Sequence, residues 1–106
     1  MRDIDAIEVT KTITRLFLEA NYYLTEDVLS ALKKAKDTEE SAVGKEVLAK
    51  IIKNADIAAS EQIALCQDCG TAVVFLELGQ EVHIIGGDLF TAINEGVRQA
   101  YQEGYL

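Results

Sequence analysis

The stretch Thr71–Asp88, TAVVFLELGQEVHIIGGD, decides the fold class. Thr71 to Leu78 is dense in β-branched and aromatic residues, which pack well on a pleated surface, so it reads as a strand; Val82 to Ile85 reads as a second. Gly79-Gln80 between them suits a tight turn, and together the three pieces predict a β-hairpin. Gly86-Gly87 then breaks the second strand. Asp88 caps a helix whose apolar stripe is Leu89, Ala92, Ile93, Val97, Ala100 and Tyr101. Gly96 lies on that stripe. Glycine costs a helix about 1 kcal/mol relative to alanine, so its presence predicts a close backbone approach.

Upstream of this stretch the chain reads as helices. Ile13, Leu16, Phe17 and Ala20 fall at i, i+3, i+4 and i+7, one buried helical stripe, and the first helix is expected from about Ile4 to Asn21. Thr25 is the expected N-cap of a second helix, with Glu26 and Asp27 favourably placed against the helix dipole and Lys33, Lys34 and Lys36 at the far end. Ser41 caps a third, whose apolar positions include Val47, Leu48, Ile51, Ile52, Ala55 and Ala58. About three helices, a hairpin and a C-terminal helix make a small α+β unit, expected to form a single domain over residues 1–106.

Composition narrows the function classes. Hydrophobic residues make up 49% of the 106 residues and charged residues 26%, a balance that argues against disorder. The formal charge is -8, which repels phosphate backbones and anionic lipid heads and excludes nucleic acid and membrane surfaces as natural partners. Charge is unevenly placed: residues 1–53 carry nine basic and ten acidic side chains, whereas residues 54–106 carry Arg98 alone against eight acids. An anionic ligand bound by the second half needs cations from another polypeptide. Met1 leads into Arg2, Asp3 and Asp5 rather than an apolar signal core, so the expected location is cytoplasmic.

The one dense cluster of reactive side chains is Cys66-Gln67-Asp68-Cys69-Gly70. Taken alone, a single C-x-x-C leaves three readings open. A thioredoxin-type thiol pair wants a strand before it and a helix after it, whereas here a strand follows. A structural zinc site needs about four Cys or His ligands. Only Cys66, Cys69 and His83 are present, so zinc would require a second chain or a carboxylate. The third reading is two reduced cysteines with no ligand role. Gly86-Gly87-Asp88 at a helix start has the form of an anion cradle, but Asp88 as cap disfavours an anion there. Tyr22, Tyr23, Tyr101 and Tyr105 read as packing residues.

With these pieces in order, the chain resembles the alpha subunit, or N-terminal region, of class I iron–sulfur fumarate hydratases and their tartrate dehydratase relatives. The resemblance rests on EANYYLTEDVLSALKKA at 19–35, CQDCGTAVVFLELGQEVHIIGGDL at 66–89 and AINEGVRQAYQEGYL at 92–106. It implies a 4Fe–4S cluster held by three cysteines, the first of them in a Cys-Gln-Asp-Thr-Gly motif, which places a ligand role on Cys66. Gln67 and Asp68 are implied to line the substrate pocket, with Asp68 a candidate catalytic group. Cys69 stands where the motif has threonine, as an alternative ligand, a redox-sensitive neighbour or a small side chain of similar volume. The implied reaction is reversible hydration of fumarate to (S)-malate, with tartrate dehydration as the alternative. The resemblance further implies that the chain is cut on its C-terminal side, that the rest of the alpha subunit and a beta subunit or C-terminal domain complete an oligomeric enzyme, and that this piece alone neither assembles the cluster nor turns over dicarboxylate. A rival reading from another class is a subunit-assembly or dimerisation module; a thiol–disulfide module would require a reducible Cys66–Cys69 bond.

Overall fold

A computed structural model describes residues 1–106 as β1 (Arg2–Asp5), α1 (Ala6–Tyr22), α2 (Glu26–Thr38), α3 (Ala42–Glu61), β2 (Val82–Ile85) and α4 (Leu89–Gly104). These divide into two compact units, one of residues 1–19 with 68–106 and the other of residues 20–67. The class is α+β, with three helices preceding a second strand and a final helix. The sheet departs from the expected hairpin.

In the first unit β1 and β2 pair in parallel, Arg2 opposite Val82 and Ile4 opposite Ile84. Val82, Ile84 and Ile4 are half-buried while His83 and Asp3 are exposed, the alternation of a strand pair with one covered face. Gly79 does turn the chain, its carbonyl accepting from Val82 N–H at 3.1 Å, but β2 then pairs with β1 instead of folding back on residues 71–78. That segment belongs to no sheet, and Val73, Phe75, Leu76 and Leu78 are 65%, 95%, 51% and 50% exposed. Residues 4 and 5, expected in the first helix, end β1 instead. The physical reason is local: Asp5 Oδ1 accepts from Ile7 N–H at 3.0 Å, so Asp5 caps α1 and the helix starts after it.

Both strands run into helices, and the two helices pack on one another. Ala92, Gly96, Ala100 and Gly104, four apart on α4, are all buried. Facing them on α1 are Ala6, Thr10, Ile13 and Thr14. The expected close approach occurs at Gly96, where an added Cβ would lie 2.7 Å from both Ile13 Cβ and the Thr10 carbonyl oxygen. The threonines join the helices with hydrogen bonds: Thr10 Oγ1 donates to the Ala92 carbonyl at 2.8 Å and Thr14 Oγ1 to the Gly96 carbonyl at 2.9 Å. Small side chains admit the neighbouring backbone, and the hydroxyls are satisfied where water is excluded. Asp88 caps α4 as expected, accepting from Thr91 N–H at 2.9 Å and Thr91 Oγ1 at 3.0 Å.

The second unit is an α-helical hairpin of α2 and α3. Ser41 caps α3 through its side chain, Oγ accepting from Gly44 N–H at 3.2 Å. Thr25 holds the N-cap position of α2, but its side chain makes no capping bond to the backbone. Its hydroxyl instead bonds Asp27, holding that carboxyl below the usual range together with the Val28 N–H. Ala55 and Ala58 are buried; Val43, Val47 and Ile51 are exposed. No helix is long and apolar enough to cross a membrane.

Candidate functional site

The Cys66 loop begins where α3 ends on Gln62 in the left-handed conformation, φ 56°. Gln62 Nε2 donates to the Ala59 carbonyl at 2.8 Å and also to the Tyr23 hydroxyl. Leu65, the residue before Cys66, is held on both sides: its N–H donates to the Asn21 carbonyl at 2.8 Å, and its carbonyl accepts from Asn54 Nδ2 at 2.7 Å. These anchors all lie in the second unit, and the division between units falls between Gln67 and Asp68.

The far end of the loop is fixed within the first unit. Gly70 has φ 70°, and its N–H donates to Asp68 Oδ1 at 3.0 Å. Tyr101 Oη donates to the Gly70 carbonyl at 2.8 Å. An added Cβ at Gly70 meets nothing within 4 Å, so backbone conformation, not space, calls for glycine here. Between the anchors, Cys66, Gln67 and Asp68 are exposed and Cys69 is half-buried. Both cysteines are thiols rather than disulfide sulfurs.

No group of three His, Cys, Asp or Glu side chains gathers to hold a metal ion. An iron–sulfur cluster is held by cysteine thiolates, ordinarily four. The donor set therefore does not fit a cluster held by these residues alone; an exposed thiol at Cys66 fits a single ligand's share of one. His83 is elsewhere, its Nδ1 3.5 Å from Asp3 Oδ1 across the strand pair with both side chains exposed.

Arg98, the one cation of residues 54–106, donates from Nη2 and Nε to the two Glu95 oxygens at 2.6 and 2.8 Å and from Nη1 to Gln102 Oε1 at 2.9 Å. Its guanidinium is thus engaged within α4. Asp88, held below the usual carboxyl range by the Thr91 N–H and hydroxyl, places a negative charge at the α4 N-terminus, where an anion would otherwise be welcome. The Gly86-Gly87-Asp88 turn is thus a helix cap.

Glu95, bonded by Arg98 and Gln99, is pulled down from 4.5 to about 2. A depressed folded-state pKa contributes stability above the unfolded value and loses it as pH falls. Resistance to urea is therefore expected to decline between pH 4.5 and about 2, with Asp88 acting in the same direction. Glu95→Gln flattens that decline; an unchanged acid limb in the variant overturns the assignment.

Sequence reasoning singled out the loop but missed the residues that hold it. Tyr101 read as packing, and its ring does lie 6.3 Å from Phe17 at 55°, yet its hydroxyl also reaches Gly70. Asn54 and Tyr101 act on backbone carbonyls 11 and 31 residues away, and no local pattern marks such bonds.

The family model described as Fumarate hydratase (Fumerase) matches residues 10–106. A Methanocaldococcus jannaschii protein named for an L(+)-tartrate dehydratase subunit alpha is 38% identical over 98 residues, 92% of this chain and 34% of its own length. The aerobic class I fumarate hydratase of Escherichia coli K12 is 39% identical over 71 residues, 67% of this chain and 13% of its own. Mitochondrial fumarate hydratase 1 of Leishmania major is 30% identical over 104 residues, 97% of this chain and 19% of its own. The chain spans about a third or less of the length of these relatives. With the match running through both anchored ends of the Cys66 loop, the chain belongs to the fumarate hydratase family, a family of hydro-lyases.

Proposed function

We propose that the chain works as part of a hydro-lyase that hydrates fumarate to (S)-malate, giving Cys66 as one ligand of a 4Fe–4S cluster and Gln67 and Asp68 to the substrate pocket. The observation that carries this reading is the loop itself: an exposed thiol, amide and carboxylate in succession, with Leu65 bonded on both sides before them and Gly70 bonded on both sides after them. Within its own unit each end is hydrogen-bonded, Leu65 to Asn21 and Asn54 in one and Gly70 to Asp68 and Tyr101 in the other. When bound, the cluster's iron supplies Lewis acidity toward substrate oxygen. Gln67 carries a donor and an acceptor for a dicarboxylate oxygen or hydroxyl. Asp68, with one oxygen engaged by Gly70 N–H, orients those groups or holds a proton. Cys69 fills the motif's threonine position as a side chain of similar volume.

In this reading other polypeptide supplies the cations that offset a dianionic substrate; Arg98, the one cation of residues 54–106, is engaged by Glu95. The partners in this reading are sequence of the kind that makes up the rest of the longer relatives, including a beta subunit or C-terminal domain. Tartrate dehydration is the second reading, favoured by the 92% coverage in the match to the Methanocaldococcus jannaschii protein. The test is the assembled enzyme, prepared without air and loaded with iron and sulfide, assayed with fumarate, (S)-malate and tartrate. Hydro-lyase turnover on the first two is expected. Turnover on tartrate alone selects the second reading, and an iron-loaded assembly that acts on none overturns both.

A further inference from the structure

Gly70 is bonded on both faces of one residue. Its N–H holds Asp68 Oδ1 at 3.0 Å, and its carbonyl takes the Tyr101 hydroxyl at 2.8 Å. Glycine rotates where other residues are held, so a glycine at φ 70° keeps that angle only if something outside it fixes the adjoining peptides. Tyr101 is suited to do so. Its ring packs against Phe17 of α1, and α1 is tied to α4 by the Thr10 and Thr14 hydroxyl bonds, so the phenol projects from a helix pair joined by buried hydrogen bonds.

We infer that Tyr101 is a positioning residue for the Asp68 carboxylate: its hydroxyl fixes the Gly70 carbonyl, the fixed glycine aims its N–H, and that N–H sets one carboxylate oxygen. The inference rests on the reading of Asp68 as a pocket residue. It assigns the tyrosine no contact with substrate; its effect passes through Gly70. An added Cβ at Gly70 meets nothing within 4 Å, which provides a rescue. Asparagine tolerates the left-handed region and is far less mobile there than glycine, so Gly70→Asn stiffens the same residue without the phenol.

Tyr101→Phe keeps the ring and removes the bond. In the chain, amide exchange by NMR is expected to quicken about fivefold at Gly70, the factor carried by one such bond, while Thr14 and Ala100 amides in the helices keep their rates. In the assembled enzyme, kcat is expected to fall by about the same factor with KM little changed. Adding Gly70→Asn restores both. Unchanged Gly70 exchange, exchange that quickens equally in α1 and α4, or faster exchange with unaltered kcat each overturns the proposal. Asp68→Asn separates the two levels. If that variant turns over at the wild-type rate, the reading of Asp68 has failed; if it is inactive while Tyr101→Phe is fully active, positioning by Tyr101 has failed.

Discussion

In the assembled enzyme, Cys66→Ser is expected to lower fumarate hydration by about a thousandfold or more and to lower bound iron with it. The estimate follows from what a metal supplies: Lewis-acid stabilisation of several kcal/mol, at about 1.4 kcal/mol per tenfold in rate. Serine retains the size of the side chain but not its chemistry, because the thiolate is the ligand and the hydroxyl stays protonated near neutral pH. Position 66 is exposed, so folding is expected to survive the change and the loss is to be read as chemistry. Cys69→Thr, which restores the motif residue, is the internal control and should leave iron and turnover near wild type. Full iron and more than a tenth of the activity in Cys66→Ser would refute the ligand role. Equal losses in both variants would instead assign the chemistry to the pair.

The second large effect lies in packing. Gly96→Val is expected to destabilise the chain by about 3 kcal/mol, near the upper end of overpacking costs. A total stability of about 5–15 kcal/mol makes that a substantial share. A Cβ at this position would meet Ile13 Cβ at 2.7 Å, Thr10 carbonyl oxygen at 2.7 Å and Ile13 Cγ2 at 2.8 Å. One neighbour is backbone and another a β-branched carbon, so neither yields as a flexible side-chain end would. Separating the helices to relieve the clash also stretches the Thr10 and Thr14 bonds to α4. Gly96→Ala is milder, since the gain in helix propensity of about 1 kcal/mol offsets part of the clash. Ile13→Ala alone costs about 2–3 kcal/mol as a buried truncation. Combined with Gly96→Val it is expected to cost clearly less than the sum, because it removes part of the obstruction. Urea unfolding of the four proteins measures this, and strict additivity would show that Ile13 is not what glycine makes room for.

The parts of the fold legible in the sequence were those with a local cause. Ser41 and Asp88 mark helix starts because a short polar side chain bonds the first turn, and Gly96 betrays a close approach because nothing else excuses a glycine in that stripe. β1 was illegible for an equally local reason: Arg-Asp-Ile-Asp has one apolar residue, too few to show alternation, and its aspartates disfavour strands. Residues 71–78 show the opposite failure. Their composition specifies an extended backbone but not a partner, and the pairing that forms joins positions about 80 residues apart. The Cys66 loop stood out because its reactive side chains are contiguous. The bonds that hold it end on carbonyls, which every residue has, so composition carries no trace of them.

Residues 71–78 also bear on how the chain fares before assembly. The segment contains a continuous apolar run from Ala72 to Leu76 and pairs with no strand, and Phe75 stands almost wholly in solvent. Exposed apolar side chains in a segment that pairs with no strand are an association liability for the chain in solution.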